Sequence, residues 1–495
     1  MRPVLPLLGL LLAGLFGPLI AADRPPNIIF VLADDLGWTD LGAFGSKYYE
    51  TPNIDRLAAQ GMRLTNHHHC QNCTPTRSAL LSGQYGARTG TYTVGSIGRF
   101  NWQTRPLRPV ENVTNLSLKR DTFANQLKAA GYATAMFGKW HLGNAPEYHP
   151  AKRGFDEAIE SSGQHFDFET TPKTPYPKGQ YLADFLTDKA VEFIQRNQAK
   201  PFLLYLPHFG VHSPFQAKAE LVAKFKGKAG VGGHNSPTYA AMLASVDESV
   251  GRVMAKLEEL KLADNTVIIF ASDNGGVGGY DRPDGLIREP GTEVKGQKAK
   301  AADDEDGGGI TDNTPLRSGK GSLYEGGVRV PFIVRWPGKV AAGSALGTPT
   351  AHVDLFPTLL EISGAAKPRQ VLDGESLLPL MLGKSSTLKR DAIFQHFPGY
   401  LGSGAGLWRT TPVSLIQMGD WKLMEFLEDG HLELYNLKDD LGETKNLAVS
   451  NPDKAKELHA RLRAWRKETN APMPTPNKGE AGAPAAKKAG KGKAK

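Results

Sequence analysis

The chain has 495 residues, of which 40% are hydrophobic and 22% are charged. This length exceeds what one hydrophobic core usually supports, and the composition is that of a globular protein rather than a fibre or a disordered chain. The net charge is +8, but six lysines and one glutamate between Met473 and Lys495 contribute +5 of it. The body of the chain is therefore nearly balanced in charge, and we expect no nucleic acid as a partner.

The two ends of the chain differ from the body. Residues 1–22 start with a charged residue, continue as a leucine-rich run and end in small residues, which is the layout of a signal peptide. A single membrane anchor is the alternative, and no other run is long and apolar enough to span a bilayer. We expect an exported protein, in a periplasmic, extracellular or other extracytoplasmic compartment, with no stable membrane span after signal removal. Residues 473–495 are predicted to form a basic low-complexity tail, which is either simply solvated or attached to acidic polymers.

Apolar strands alternate with amphipathic helices over residues 23–390. The buried strands are predicted at Asn27–Ala33, Ala133–Phe137, Phe202–Leu206 and Val267–Ala271. The longest helices are predicted at Leu182–Ile194 and Tyr239–Leu260. This alternation predicts an α/β catalytic domain, in which helices sandwich a large, mainly parallel sheet. A Gly-rich, charged stretch from Tyr280 to Asp312 is predicted to be a long surface loop.

The pattern changes after about Asp391 to short alternating strands. Hairpin turn signals separate strands predicted at Val413–Gln417, Trp421–Phe426 and His431–Tyr435. A helix follows, with its apolar face formed by Leu458, Leu462 and Trp465. Residues 391–472 are therefore predicted to form a smaller C-terminal α+β subdomain built on an antiparallel sheet.

Polar side chains follow the buried strands of the first domain at the point where each strand ends. They are Asp34-Asp35, Lys139 with His141, His212, and Asp273-Asn274. Ligands of α/β folds bind beyond the carboxyl ends of parallel strands. One polar residue at a strand end is usually a turn or a cap, whereas four such ends on one edge of a sheet favour a site.

A short segment around Cys73 is the strongest single motif. Cys73 is followed by Pro75 and Arg77 and opens an apolar helical turn that ends at Gly83, so the cysteine is a candidate nucleophile at a helix N-terminus. Cys70 lies three residues earlier, and the CxxC spacing leaves a disulfide, a redox centre or half a zinc site as alternatives. The histidines of residues 67–69 are predicted to lie on a strand surface or a pocket wall, with a metal role as the alternative.

These motifs together resemble those of the type I, formylglycine-dependent sulfatases of the alkaline phosphatase superfamily. The resemblance rests on CTPTRSALLSG at Cys73, GKWHLG at Lys139, ASDNGG at Asp273, PLRSGKGSLYEGGVRVP at Lys320 and the late DWKL and ELYNL strands. It covers the chain from about Asn27 to Trp465. It implies an alkaline-phosphatase-like fold and an arylsulfatase-like sulfuric ester hydrolase.

The resemblance implies that Cys73 is oxidised after synthesis to formylglycine (3-oxoalanine) by a formylglycine-generating enzyme. One hydroxyl of the hydrated aldehyde then attacks the sulfur of a sulfate ester. A departing anionic group needs fixed positive charge in a water-poor pocket, which Arg77, Lys139 and Lys320 supply. By family position, Arg77 and Lys139 hold the hydrate, and Lys139 and Lys320 bind the substrate.

The resemblance also implies a metal site. Its ligands are Asp34, Asp35, Asp273 and Asn274, completed by the oxygens of the modified Cys73. Hard oxygen ligands in this number suit calcium, with magnesium as the less favoured ion. Three carboxylates that converge without a cation would repel one another strongly.

Three histidines receive roles by family position. His141 is the base that takes a proton from the second hydroxyl, and His212 binds the substrate and protonates the leaving oxygen. His396 is assigned to the substrate wall, although Gly399 stands where many relatives have a histidine.

The sequence thus predicts a sulfatase that acts on a sulfated small molecule or glycan, and a sulfated carbohydrate is the expected substrate. A phosphatase or phosphonate monoester hydrolase on the same fold is the alternative enzyme. A catalytically silent, secreted glycan-binding protein is the alternative from a different class.

Overall fold

A computed structural model describes residues 24–279, 287–288, 310–404 and 407–478. The predicted signal peptide, residues 479–495 of the predicted tail and most of the predicted loop from Tyr280 to Asp312 lie outside these ranges. Among the residues described, no helix has both the length and the apolar character needed to cross a membrane.

The helices of the described residues vary from one turn to six turns. In chain order they are α1 (Pro52–Ala59), α2 (Cys73–Ser82), α3 (Gly86–Thr89), α4 (Phe123–Ala129), α5 (Leu182–Arg196), α6 (Ala219–Phe225), α7 (Pro237–Glu259), α8 (Glu325–Val328), α9 (Leu355–Ser363), α10 (Leu378–Met381) and α11 (Pro452–Thr469).

The strands are mostly short. In chain order they are β1 (Asn27–Ala33), β2 (Met62–Leu64), β3 (His67–His68), β4 (Leu107–Arg108), β5 (Ala133–Gly138), β6 (Glu157–Glu160), β7 (Phe202–Pro207), β8 (Thr266–Ser272), β9 (Ile287–Arg288), β10 (Phe332–Arg335), β11 (Ser344–Leu346), β12 (Thr350–Ala351), β13 (Ile393–Phe397), β14 (Leu401–Gly404), β15 (Leu407–Thr410), β16 (Val413–Met418), β17 (Trp421–Phe426), β18 (Leu432–Asn436) and β19 (Thr475–Pro476).

The first domain is built on an eight-stranded sheet with the order β11-β2-β10-β8-β1-β7-β5-β6. The strands β8, β1, β7, β5 and β6 are parallel to one another, whereas β10 runs antiparallel to both β8 and β2. The predicted α/β fold with a large, mainly parallel sheet is therefore confirmed.

Helices cover both faces of this sheet, and the central strand β1 shows why. All seven of its residues are buried, and successive side chains of a strand point to opposite faces. Ile29 and Val31 pack in the core cluster that includes residues of α1, α5 and α7. Ile28 and Phe30 pack in the cluster that includes residues of α2, α4 and α9. A strand buried on both faces is continuously apolar for this reason.

A four-stranded antiparallel sheet, with the order β13-β16-β17-β18, forms the second domain. The helix α11 packs on this sheet through the predicted face, and the Trp465 ring lies parallel to the Phe394 ring at 4.8 Å between centroids. The predicted C-terminal α+β subdomain is confirmed. After α11 the chain returns to the first domain, where β19 pairs with β4.

Candidate active site

The carboxyl ends of β1, β5, β7 and β8 meet at one edge of the large sheet, because these strands are parallel neighbours. Asp34 and Asp35 follow β1, and Asp273 and Asn274 follow β8, all four at 0–1% exposure. The Asp35 backbone N–H donates to Asp273 Oδ1 at 3.1 Å, and Asn274 Nδ2 donates to Asp35 Oδ1 at 2.8 Å. The predicted metal ligands are thus brought together.

Cys73 is the first residue of α2 and faces this acidic group. Its Sγ lies 3.4 Å from Asp34 Oδ1 and 3.9 Å from Asp35 Oδ1. Burial, and then the carboxylates of Asp273 and Asp34, raise the pKa of the Cys73 thiol well above its ordinary value. The encoded thiol therefore stays protonated, and a protonated thiol is a poor nucleophile.

Arg77 lies one helical turn after Cys73 and is fully buried. Its Nε and Nη2 donate to Asp273 Oδ2 at 3.1 and 2.8 Å, and Nη2 also lies 3.3 Å from Asp34 Oδ2. Its Nη1 donates to the Lys139 carbonyl at 2.7 Å. The planar guanidinium thus joins the ends of three elements, a geometry that lysine cannot reproduce.

Two lysines complete the positive side of the site. Lys139 Nζ lies 2.5 Å from Asp34 Oδ2, and Lys320 Nζ lies 2.7 Å from Asp35 Oδ2. Gly138 allows Lys139 to sit so close to β7, because a Cβ at residue 138 would lie 1.9 Å from the Pro207 carbonyl oxygen. Three cationic side chains therefore face three carboxylates. The predicted repulsion among the carboxylates is offset by the protein's own cations.

Cation binding is consistent with two further features of the acidic group. The Asn274 Oδ1 is buried and has no hydrogen-bond partner among the described residues. Atoms of Asp34, Asp35, Cys73 and His212 also lie within 4.8 Å of one another. An unpartnered amide oxygen beside carboxylates is the donor set that calcium prefers, so the residues fit the predicted ion.

His212 and Lys320 form a pair at the edge of the site. Lys320 Nζ lies 3.3 Å from His212 Nε2, and His212 Nε2 lies 3.6 Å from Asp35 Oδ2. The other ring nitrogen, Nδ1, lies 2.7 Å from the Ser213 carbonyl oxygen, so it carries a proton and donates. The His212 side chain is 18% exposed, whereas the side chain of Lys320 is 4% exposed.

His141 follows β5 and Lys139. Its backbone has a φ of 62°, in the left-handed region that a non-glycine residue adopts at a cost. Its buried Nδ1 has no hydrogen-bond partner in the described part of the chain. Burial, and then Lys139 and Arg77, lower the pKa of His141 well below its ordinary value. The imidazole is therefore neutral.

His396 lies on β13 and is engaged within the molecule. Its Nδ1 lies 2.8 Å from Ser414 Oγ, and its Nε2 lies 2.8 Å from the Pro472 carbonyl oxygen. Burial lowers its pKa to about 4. The role of His396 in substrate binding stays a prediction, and this geometry does not favour it, since both ring nitrogens already have partners.

Cys70 and the three preceding histidines are structural in this fold. Both cysteines are free, so the disulfide alternative is not what the structure shows. His67 Nε2 and His69 Nε2 lie 3.0 Å apart, and His68 Nε2 lies 2.9 Å from Glu325 Oε2. Within the described residues, these side chains are not part of a metal-competent group.

Sequence reasoning missed two residues that support this site. Tyr239 OH lies 3.3 Å from the Asp35 carbonyl oxygen and donates to Asp40 Oδ2 at 2.6 Å. His165 Nε2 lies 2.8 Å from the His212 carbonyl oxygen. Neither residue belongs to a quoted motif or follows a predicted parallel strand, so no local pattern marks them.

Comparisons with known proteins agree with the site. Residues 26–365 match the family model described as Sulfatase, and residues 319–469 match the one described as N-sulphoglucosamine sulphohydrolase, C-terminal. A sulfatase of Formosa agariphila is 35% identical, over 92% of this chain and 93% of that protein. The N-acetylgalactosamine-6-sulfatase of Canis lupus familiaris is 35% identical, over 74% of this chain and 68% of that protein.

A solved structure extends this similarity to three dimensions. The crystal structure of Ps i-CgsB in complex with k-i-k-neocarrahexaose has a TM-score of 0.72 and 28% identity, over 89% of this chain and 93% of that one. The family match covers more than half of the chain, and it includes every predicted site residue from Asp34 to Lys320. The chain therefore belongs to the sulfatase family and is a hydrolase of sulfuric ester bonds.

Proposed function

We propose that this sulfatase uses a formylglycine made from Cys73, together with a calcium ion, to hydrolyse sulfate monoesters of a carbohydrate. The observation that carries the proposal is the placement of Cys73. Its Sγ lies 3.4 Å from Asp34 Oδ1 at the start of a buried helix, and Lys139 Nζ contacts the same carboxylate. Because its thiol pKa is raised, the residue gains nucleophilicity by conversion rather than by ionisation.

Formylglycine, as its hydrate, would supply a hydroxyl nucleophile at this position. Buried cationic side chains surround that position. Lys139 Nζ and Arg77 Nη2 both lie on Asp34 Oδ2, at 2.5 and 3.3 Å, so positive charge is aimed at the start of α2. Nδ1 of the His141 imidazole has no partner within the described ranges, and this ring would take a proton from a hydroxyl there.

Calcium would be held by Asp34, Asp35, Asp273 and Asn274, and would supply a fixed positive charge against which anionic oxygens bind. The buried Oδ1 of Asn274, which has no hydrogen-bond partner among the described residues, supports this assignment. The buried setting strengthens every charge interaction in the site, because water is excluded from it.

The proton for the departing oxygen would come from the pair formed by Lys320 and His212. Lys320 Nζ donates toward His212 Nε2 at 3.3 Å, so the pair shares a proton at the exposed edge of the site. An alkoxide leaves slowly unless it is protonated as it departs, and a positioned acid contributes roughly 100- to 10,000-fold to such a step.

A sulfated carbohydrate is the substrate class that the relatives support. N-acetylgalactosamine-6-sulfatases are 34–35% identical to this chain, and the structural neighbour i-CgsB was solved with a bound neocarrahexaose. The proposal also includes export through the segment at residues 1–22 and maturation by a formylglycine-generating enzyme.

The test has two parts. Mass spectrometry of the peptide that contains Cys73, from protein made in its native host, should show the mass of formylglycine. A cysteine or a disulfide at that residue would remove the proposed nucleophile. Turnover of 4-nitrophenyl sulfate should then exceed turnover of 4-nitrophenyl phosphate, whereas faster phosphate hydrolysis would favour the phosphatase alternative. A Cys73→Ala variant, which cannot be converted, is the matched control.

A further inference from the structure

We propose that His165 is a positioning residue that fixes the orientation of His212. The inference rests on the proposed function, in which His212 helps to protonate the leaving oxygen. His165 lies after β6, outside every motif that the sequence singled out. It is 1% exposed, so its ring reaches neither solvent nor a bound ester.

The first observation is a direct hydrogen bond to the backbone of His212. The His165 Nε2 lies 2.8 Å from the His212 carbonyl oxygen, so Nε2 carries a proton and donates to it. The backbone of His165 is held in turn, because its N–H donates to Gln216 Oε1 at 3.1 Å. His165 therefore ties the segment after β6 to the segment after β7 on which His212 lies.

The second observation is a column of four stacked rings that ends at His212. The Tyr181 and His165 centroids lie 5.6 Å apart with planes at 14°, and the His165 and Phe209 centroids lie 4.9 Å apart with planes at 26°. The Phe209 and His212 centroids lie 5.0 Å apart with planes at 29°. Each ring limits the tilt of the next, so the orientation of the His212 ring depends on three buried rings.

Tyr181, the ring at the far end of the column from His212, is itself held by a hydrogen bond. Tyr181 OH donates to the Gln216 carbonyl at 2.8 Å, and Tyr181 and Phe209 are 2% and 3% exposed. His212 is the outermost ring of the column, and only its Nε2 edge faces Lys320 and Asp35. The column thus orients His212 so that its Nε2 points toward Lys320 and Asp35.

Precise placement of this nitrogen matters because proton donation to a leaving group depends steeply on geometry. A displacement of about 1 Å in a catalytic group can cost about 100-fold in rate. A general acid contributes most when the leaving group is a poor one, so its misplacement should be visible mainly with such substrates. A variant that misplaces His212 should therefore slow esters with poor leaving groups more than esters with good ones. A general loss of structure should slow both kinds of ester equally.

The experiment compares kcat/KM for 4-nitrophenyl sulfate, which has a good leaving group, with that for phenyl sulfate, which has a poorer one. Rates are divided by the fraction of molecules that carry formylglycine, measured by mass spectrometry. His165→Phe keeps a ring in the column but removes the donor. We expect it to lower kcat/KM about 10-fold for phenyl sulfate and less than about 2-fold for 4-nitrophenyl sulfate.

His165→Gln provides the rescue, because its amide N–H reaches about as far as Nε2 of histidine. We expect its phenyl sulfate rate to return to within about 3-fold of the wild type. If His165→Phe does not fold, His165→Asn replaces it, since that side chain is too short to reach the His212 carbonyl. A matched control is His431→Phe, at an exposed histidine that also stacks on a ring, that of Phe426 at 4.4 Å. It should change neither rate.

A His212→Gln variant tests the acid role of His212 separately from the positioning role of His165. It should show the largest selective loss, about 100-fold for phenyl sulfate. If His212→Gln slows both esters equally, the proposed acid role of His212 is wrong and the inference falls with it. If His212→Gln is selective but the donor-less His165 variant is not, only the positioning role of His165 is overturned.

Discussion

At the scale of single residues, Arg77 has the most demanding position in the site. Its guanidinium contacts Asp273, Asp34 and the Lys139 carbonyl, and none of it is exposed. Removal of one partner from a buried ion pair leaves an uncompensated charge and typically costs about 3–5 kcal/mol. We therefore expect Arg77→Met to lower the apparent free energy of unfolding by about that amount, measured by urea denaturation.

Arg56→Met is the control for this substitution. Arg56 forms an ion pair with Glu258 at 3.8 Å, but both side chains are 41–50% exposed. An exposed pair of this kind contributes about 0–1 kcal/mol. Equal losses from the two variants would show that the buried network around Arg77 is not stabilising in the way that its contacts indicate.

Asn274 gives a residue-scale prediction for the metal. Its Oδ1 lacks a partner among the described residues, and its Nδ2 already donates to Asp35 and to the Gly275 carbonyl. Asn274→Leu should therefore weaken calcium binding at least about 10-fold, because it removes the amide oxygen that we propose as a ligand. Titration calorimetry on protein freed of metal by a chelator measures this directly.

Thermal unfolding of the metal-free protein is a second measurement of calcium binding. A ligand at 100 times its Kd stabilises the folded state by about 2.7 kcal/mol. Added calcium should raise the melting temperature of the wild type and raise that of Asn274→Leu much less. An equal rise in both proteins would place the ion elsewhere. Asn265→Leu is the control, because Asn265 lies at the opposite end of β8 from Asn274 and donates to the Arg24 carbonyl.

The residues that the sequence predicted, and those that it missed, differ in one physical respect. Asp34 and Asp273 were predictable because buried apolar strands are visible as continuous runs, and the residue after each run must lie at the sheet edge. His165 and Tyr239 were not, because their roles depend on contacts with residues 47 and 204 positions away. Such contacts are set by the packed fold and leave no local pattern.

At the scale of elements, the strand β17 of the second domain supports a site segment of the first. Lys422 Nζ donates to the Leu323 carbonyl at 2.8 Å and contacts Glu325 Oε1 at 2.9 Å and Glu443 Oε1 at 2.8 Å. Leu323 lies three residues after Lys320. The late DWKL motif, whose lysine is Lys422, thus helps to hold the segment that carries Lys320.

Lys422→Met should therefore affect both stability and catalysis. It leaves Glu325 and Glu443 buried without their shared cation, which typically costs about 3–5 kcal/mol in unfolding free energy. The loosened segment should also lower kcat/KM for sulfate esters through Lys320. Urea denaturation and steady-state kinetics measure the two effects.

Two further variants make the result specific. Lys438→Met, at an exposed lysine after β18, should change neither quantity. Glu443→Gln removes one of the two carboxylates, so the double variant with Lys422→Met should be less destabilised than the sum of the single variants. Strict additivity would argue against a coupled network.

At the scale of the whole molecule, the order of the domains was predictable but the order of strands in the sheet was not. Period-3.6 and continuous apolar patterns mark which segments are helices and strands. The position of β10 between β8 and β2, and its antiparallel direction, depend on pairing between segments more than 50 residues apart. The sequence therefore predicted a mainly parallel sheet but not the antiparallel strand β10 within it.

The end of the described chain ties the two domains together. The strand β19 pairs with β4 of the first domain, and Asn477 Nδ2 donates to the carbonyls of Gln103 and Arg105 at 2.9 Å. The Pro472 carbonyl lies 2.8 Å from Nε2 of the buried His396. Segment 471–478 is therefore part of the folded molecule, and its removal leaves a buried donor without a partner.

Deletion of residues 471–495 should lower the apparent free energy of unfolding by roughly 2–4 kcal/mol, because an orphaned buried donor alone costs about 1–3 kcal/mol and the strand pair is lost as well. Deletion of residues 479–495 keeps every contact named above and should leave the unfolding free energy unchanged. Thermal and urea unfolding of both truncated proteins measure the difference. If the two deletions behave alike, the pairing of β19 with β4 does not couple the second domain to the first.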